Sequence, residues 1–429
     1  MQADLTESVQ SSIRPGPMID SYYFGETNTS KQAYPCVVNT RFVQQFTNLG
    51  QGSSQFVISP QQGVSDIVVE LVMPSGYTAT GLSLNKGWGY GLISRLSVRY
   101  GSSAQYFWTG AQLLLQNLMD SENSTKADAV LTLGGNSLSG NAAASAGGIL
   151  GAQAYLYLKL PHNSCRAQGK PLPFPSDLLV QPIVVTIELL PPVSVVIYQT
   201  GGNTALVPSQ LTSAQLQVKQ EMLTDTSDLL ARRVDMNSHA YTFPLPYFCQ
   251  QETTITLQAT ASSQSVNLTG FRAGEVRSIL CWLTLNSEQT PGTSGGTTGN
   301  NFAPNSWYPL SGMTLTYNGE IFSRFDDAAG QLWNLVADEK VSAVNNITYL
   351  VNSTAGVPQS SVSYWTELPF AQVNMGYDRE TKLFHGKPIL NAVVNLTLTT
   401  PTSAAYTLHA MYIYNASLLC SRGSSEYIF

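Results

Sequence analysis

The chain has 429 residues, too many for one small core; at roughly 100 to 200 residues per domain, two or three domains are expected. Only 11% of residues are charged, the net charge is −6 with 21 Lys and Arg, and Arg232–Arg233 is the one adjacent basic pair of note. A surface that displaces counterions from phosphates needs clustered cations, so direct nucleic-acid binding is not expected, and no stretch approaches the roughly 18 apolar residues of a membrane helix.

Ser, Thr, Asn, Gln and Gly take the place of the missing charge. A neutral, hydrogen-bonding surface can be desolvated against a neighbour without stripping water from many ions, which suits an assembly. Met1 to Asp20 is polar, holds Pro15 and Pro17 and contains no apolar run of the signal-peptide kind, so folding in the cytosol or nucleus is expected. Cys36, Cys165, Cys249, Cys281 and Cys420 are odd in number and irregularly spaced, with no CxxC pair, and read as reduced, mostly buried thiols.

Alternation with period two dominates the chain, the mark of strands with one buried face. In order, Leu96, Val98 and Tyr100 alternate with Arg95, Ser97 and Arg99; Ile183, Val185, Ile187 and Leu189 form a second such face. Met313, Leu315 and Tyr317 form a third, and Val394, Leu396 and Leu398 a fourth opposite Asn395, Thr397 and Thr399. Helical spacing is confined to Ala111–Met119, Thr226–Val234 and Ala328–Val336, which predicts short helices between strands. Gly/Ser/Asn-rich runs at Ser121–Gly151, Ser287–Asn305 and Val341–Val362 are too polar for core and are expected as loops at one end of the β domains.

Sliding the chain against itself by 217 positions brings out a repeat. Ser94, Tyr100, Ala111, Leu115, Asn117 and Leu118 fall on Ser311, Tyr317, Ala328, Leu332, Asn334 and Leu335, and Gly169-Lys170-Pro171 falls on Gly386-Lys387-Pro388. Two halves of one fold are expected, each near 200 residues. A β domain of that size with short strands and one helix is most simply an eight-stranded jelly roll, so the fold class is all-β, two consecutive jelly rolls with short helices in the loops.

Residues with catalytic or ligand chemistry are scattered. His162, His239, His385 and His409 show no metal-ligand spacing. Asp326 and Asp327 read as the start of the helix Ala328–Val336, where negative charge meets the positive end of the dipole, rather than as a catalytic pair. Both Gly-Lys pairs are followed by Pro, which cannot donate the backbone N–H that cradles phosphate. No catalytic residue, metal or cofactor is therefore expected. Asn-x-Ser/Thr sequons occur at Asn28, Asn123, Asn267, Asn346, Asn352, Asn395 and Asn415 and are candidate glycosylation positions. Six Trp and 21 Tyr leave a carbohydrate-binding or carbohydrate-active β-sandwich protein, of virion or secreted origin, as the alternative function. A receptor-like adhesion module predicts a single roll, against the repeat.

Four segments carry a resemblance: GLISRLSVRYGSSAQYFWTGAQLLLQNL (Gly91 to Leu118), AYLYLKLPHNS (Ala154 to Ser164), KPLPFPSDLLVQPIVVTIEL (Lys170 to Leu189) and LQVKQEMLTDTSDLLARR (Leu216 to Arg233). With YPLSGMTLTYNGEIFSRFDDAAGQLWNLV (Tyr308 to Val336) and the terminal strands, they make the chain similar to the double jelly-roll major capsid proteins of large nucleocytoplasmic DNA viruses, a lineage shared with adenovirus and tectivirus capsid proteins. The resemblance implies an N-terminal arm at 1–25, a first jelly roll at 26–212, a linker strand and helix at 213–240 and a second jelly roll at 241–429. It implies a homotrimeric, pseudo-hexagonal capsomer tiling an icosahedral shell, located in the virion capsid and assembled in the host cytoplasm or nucleus. Implied partners are the chain itself, neighbouring capsomers, penton and minor or cement proteins, and an internal membrane touched by the arm.

Overall fold

The computed structural model describes residues 37–60, 63–74, 82–84, 88–119, 153–157, 166–167, 170–171, 174–176, 179–198, 209–223, 240–249, 253–257, 263–271, 274–285, 310–317, 320–325, 370–375, 377–378, 383–384, 386–389, 392–398 and 406–428. The expected helices Thr226–Val234 and Ala328–Val336 and the three polar loops lie outside them.

The first roll contains β1 (Val37–Gln45), β2 (Gly52–Ile58), β3 (Gly63–Val72), β4 (Leu82–Leu84), β5 (Ile93–Tyr100), β6 (Tyr106–Trp108), β7 (Gln153–Tyr157), β8 (Arg166–Ala167), β9 (Lys170–Pro171), β10 (Phe174–Pro175), β11 (Ile183–Leu189), β12 (Val196–Tyr198) and β13 (Ser213–Leu223). One of its sheets runs β1-β13-β3, with β7 and β10 both on the far edge of β3; the facing sheet runs β2-β11-β5-β6. Helices α1 (Trp88–Gly91) and α2 (Gly110–Met119) flank β5 and β6. The second roll contains β14 (Ala240–Cys249), β15 (Thr253–Leu257), β16 (Ser263–Leu268), β17 (Glu275–Leu285), β18 (Leu310–Tyr317), β19 (Glu320–Phe325), β20 (Phe370–Asn374), β21 (Tyr377–Asp378), β22 (Leu383–Phe384), β23 (Lys387–Pro388), β24 (Ala392–Leu398), β25 (Tyr406–Ser421) and β26 (Ser424–Ile428). Its sheets run β14-β25-β17, with β20 and β23 on β17, and β16-β24-β18-β19. Over these strands the two orders agree, and each is that of a jelly roll; β15 and β26, which both pair with β25, are additions to the second roll's sheet.

The registers agree as well. Leu96 faces Trp108 and Val98 faces Tyr106 in the first roll; Met313 faces Phe325 and Leu315 faces Ser323 in the second, each residue 217 positions on. The repeat is real there, but the Gly-Lys-Pro coincidence is not structural. Lys170–Pro171 pairs with Arg166–Ala167 in a small hairpin, whereas Lys387–Pro388 lies along β17; the counterpart of β23 is β10. Proline lacks the N–H needed inside a ladder, so short Pro-containing strands settle at edges in both halves regardless of kinship. A second correction concerns Ser213–Leu223. The sequence reading places it in the linker, but it pairs with β1 on one side and β3 on the other, so it is a central strand of the first roll.

The alternating faces point inward where they are described: Leu96, Val98 and Tyr100, Ile183, Val185, Ile187 and Leu189, Met313 and Leu315, and Val394 are all buried, and the side chains of Leu396 and Leu398 lie outside the described residues. Tyr317 is only half-buried. Buried residues of both rolls join in one connected cluster, with Trp88, Trp108, Tyr90, Tyr100, Phe56 and Phe174 from the first roll and Trp282, Tyr412 and Tyr414 from the second. Burying an aromatic of this size contributes about 1.5 to 3 kcal/mol.

Two local devices fix the first roll. Thr109 caps α2: Gln112 N donates to Thr109 Oγ1 (3.3 Å) while Thr109 N donates to Gln112 Oε1 (3.0 Å), a reciprocal capping box. Thr109→Ala is expected to lower stability by about 1 kcal/mol in urea unfolding, and a change within a few tenths would show that the box carries nothing. Edge strand β2 is closed by a side chain: Val57 N donates to Gln44 Oε1 (3.2 Å) and Gln44 Nε2 donates to Val57 O (2.8 Å), so at that residue no backbone group is left to template another strand.

Candidate functional site

The described polar contacts between the rolls converge where the C-terminal hairpin meets the β5–β6 turn. Strand β25 is long, 16 residues; its first part pairs with β17 and its last five residues, Ser417–Ser421, pair with β26. The two-residue turn between them, Arg422 and Gly423, has positive φ at both positions (50° and 80°), the conformation whose twist suits a hairpin. This turn drives the hairpin tip onto the first roll. Val180 N donates to Gly423 O (3.2 Å), and a Cβ at 423 would run into Val180 Cγ2, so glycine is needed for both its φ and the close approach.

Behind the tip, Ser425 enters the β5–β6 turn. Its N–H donates to Ser102 Oγ (2.9 Å), its hydroxyl donates to Tyr100 O, and Ser103 N, already bonded to Tyr100 O (2.9 Å), shares itself with Ser425 Oγ (3.2 Å). Ser102 Oγ donates back to Ser425 O (3.3 Å) and Ser103 Oγ donates to Tyr427 OH (3.4 Å). The rings of Tyr106 and Tyr427 lie 6.3 Å apart, and strand β14 runs against β6 alongside. The result is a clasp: the end of the second roll is bonded, backbone and side chain, into the first.

The clasp is dry. Tyr100 is fully buried, which holds its hydroxyl proton well above the ordinary phenol range, with Tyr427 and Cys420 adding to the rise. Burial pushes the thiols of Cys281 and Cys420 from 9.0 up to about 12. Well below pH 9.0 these groups are protonated in folded and unfolded chains alike and add no pH dependence of their own; as pH rises through 9.0, the unfolded chain loses protons that the folded one keeps. Stability to urea is therefore expected to fall between pH 9.0 and about 12, and a profile flat across that window would refute the burial of these thiols. At neutral pH Cys281 and Cys420 should resist alkylation until the chain unfolds, since the thiolate is the nucleophile.

The outer faces of the sister sheets differ. In the first roll Gln45 Nε2 donates to Gln215 Oε1 (3.0 Å), and Gln215 and Gln217 both donate to Glu70 Oε2, the latter at 2.7 Å, a polar ladder across three strands. At the matching places in the second roll stand Met411, Ile413 and Leu280, all buried. His409 is half-buried there; its ring stacks on Trp282 (centroids 5.2 Å, 4° between planes) and its Nε2 bonds Thr284 Oγ1 (2.8 Å), so it packs and bonds within the sheet. His162, His239, His385, Asp326 and Asp327 lie outside the described residues, and among those described no group of three His, Cys, Asp or Glu gathers to hold a metal.

Of the sequons, Asn28, Asn123, Asn346 and Asn352 lie outside the described residues. Asn267 and Asn395 are exposed on the outward face of the β16-β24-β18-β19 sheet, among Ser263, Ser265 and Thr314. Asn415 is half-buried in β25, and its Nδ2 donates to Glu275 Oε2 (3.3 Å). The clasp itself escaped the sequence reading, although Arg422-Gly423 between alternating Ser and apolar residues is a hairpin signal of the usual kind.

No family model matches the chain, and no curated protein matches it by sequence. Solved structures do. A chain of the PBCV-1 virus capsid superposes with a TM-score of 0.59 at 14% identity, over 94% of this chain and 99% of that one. The Faustovirus major capsid protein gives 0.53 at 10% identity, covering 92% of each chain. The mavirus major capsid protein gives 0.52 at 11%, over 97% of this chain and 95% of that one. The strand orders and these superpositions agree that the fold of this chain is the double jelly roll found in viral major capsid proteins.

Proposed function

We propose that this chain is a major capsid protein, that three copies associate into a pseudo-hexagonal capsomer, and that such capsomers tile the icosahedral shell of a DNA virus. The observation that carries this reading is the pairing of two rolls of one strand order, clasped side by side in a single chain. Three such chains present six similar wedges, and a ring of six fills a hexagonal lattice. The solved structures that share the fold are capsid components by name, which supports the same reading. So does the outward face of the β16-β24-β18-β19 sheet, where Ser263, Ser265, Asn267 and Asn395 are exposed without a charge among them, a surface that is cheap to desolvate.

In this reading residues 1–25 form an arm beneath the capsomer that meets minor proteins or an internal membrane, and the first roll extends through Leu223. Neighbouring capsomers, penton and cement proteins are the further partners. Asn267 and Asn395 are the described sequons open to a glycan. Function rests on shape and interface rather than on catalytic residues. Sedimentation of the purified chain tests this: a stable species near three times 46.4 kDa is expected. A monomer that binds or cleaves glycans would overturn the reading in favour of the carbohydrate-directed alternative.

A further inference from the structure

Positions 217 apart place one tyrosine in each roll, and the two hydroxyls meet different surroundings. In the second roll Tyr317 OH donates to Pro388 O (3.0 Å), so a backbone carbonyl of the short strand β23 takes its proton. In the first roll Tyr100 is fully buried on the inner face of β5, and its hydroxyl has no hydrogen-bond partner among the described residues. Burial keeps that hydroxyl protonated, so a donor stands in the core with nothing in the described chain to receive it.

A matching acceptor stands on the facing sheet. Gln220 continues the inward row Ala214, Leu216 and Val218 of β13 and is only 2% exposed, and its Oε1 also lacks a partner among the described residues. Register brings the two groups to one end of the sandwich. Gln220 pairs with Val64 of β3, and Val64 pairs with Phe174 of β10, which makes a row of three inward side chains; the register shift between Lys219 and Gln220 is what turns Val64 inward beside the amide. Tyr100 meets that row from the opposite sheet, its ring edge-on to Phe174 with centroids 5.3 Å apart. The sister roll carries no such acceptor: four residues past Tyr412, the counterpart of Leu216, stands Ala416. The amide thus occurs in the roll whose tyrosine finds no carbonyl.

We propose that the core of the first roll encloses one water molecule that accepts a hydrogen bond from Tyr100 OH and donates one to Gln220 Oε1. A buried donor and a buried acceptor, not bonded to each other and carried on facing walls, are the polar setting that an internal water fills with two bonds the chain itself does not make. The site ties Tyr100 at both ends: its hydroxyl through the water to β13, its carbonyl to Ser425 of the clasp. Gln220 is therefore a positioning residue for the tyrosine on which the second roll closes. A single enclosed molecule leaves the clasp dry, because it exchanges with solvent only when the roll opens.

The test is an experimental density map of the full chain, fine enough to show ordered water, paired with urea unfolding of three variants. A peak within hydrogen-bond distance of both Tyr100 OH and Gln220 Oε1 is expected, and it should vanish in Gln220→Met. Tyr100→Phe and Gln220→Met each strand one buried group and are each expected to lower the folding equilibrium constant about tenfold, whereas the double variant, which removes both ends of the bridge, should return to within about threefold of the natural chain. Empty density between the two side chains, a direct bond from Tyr100 OH to Gln220 Oε1, or single effects that simply add in the double variant would each overturn the proposal. None of these outcomes bears on whether the chain assembles, so the capsid reading stands or falls separately.

Discussion

Truncating the chain after Ser421 is expected to uncouple the two rolls, so that a single calorimetric transition splits in two and the assembled fraction collapses. The deletion removes the turn, all of β26 and every hydrogen bond of Ser425, Gly423 and Tyr427 to the first roll. It also removes the Tyr427 ring that lies 6.3 Å from Tyr106. At about 0.5 to 1.5 kcal/mol for each hydrogen bond, the six bonds lost cost roughly 3 to 9 kcal/mol. That is a large part of the 5 to 15 kcal/mol that stabilises a typical domain, so loss of coupling is the expected result rather than a small shift. Gly423→Val tests the same contact without deletion. It forces a branched residue to positive φ and into Val180, at about 2 kcal/mol or more, and is expected to reproduce the split in weaker form. A truncated chain that melts in one unshifted transition would mean that the rolls are held by other surfaces.

Gly110→Ala is the second large effect, and its sign runs against helix propensity. At an ordinary helical position this change stabilises by about 1 kcal/mol. Gly110 opens α2 where α1 crosses it, and a Cβ there would collide with Tyr90 O, 2.8 Å from Tyr90 C and 2.9 Å from Ile93 O. All three atoms are backbone, and Tyr90 and Ile93 are themselves buried, so no side chain can swing aside. Overpacking at roughly 3 kcal/mol, the upper end of its usual range, outweighs the propensity gain, and the urea midpoint should drop accordingly. A neutral or stabilising substitution would show that α1 and α2 do not meet as described.

The sister sheets keep one face alike and diverge on the other. Inner positions keep their apolar character in both halves, Val69 and Ile279, Leu216 and Tyr412, because both must fill a sandwich. Outer positions are free of that demand. Glu70 became part of a Gln ladder in one half, and Leu280 was buried in the other. The two rolls thus share a core pattern and differ in what their outer faces present.

Alternation by itself determined the β class and the inward faces of four strands, since the pleat puts every second side chain on one side whatever the partner. The repeat at 217 determined that β5 and β6 recur as β18 and β19, because ungapped spacing survives where strand and turn lengths are matched. Partnership was decided only by the tertiary structure. The periodicity of Ser213–Leu223 says which residues face inward but not that its neighbours are β1 and β3, and the shared tripeptide Gly-Lys-Pro sits in two different pairings. The clasp is the extreme case: Ser425 and Tyr100 are 325 residues apart, and nothing local in either segment encodes a bond that exists only once two finished sandwiches are laid side by side.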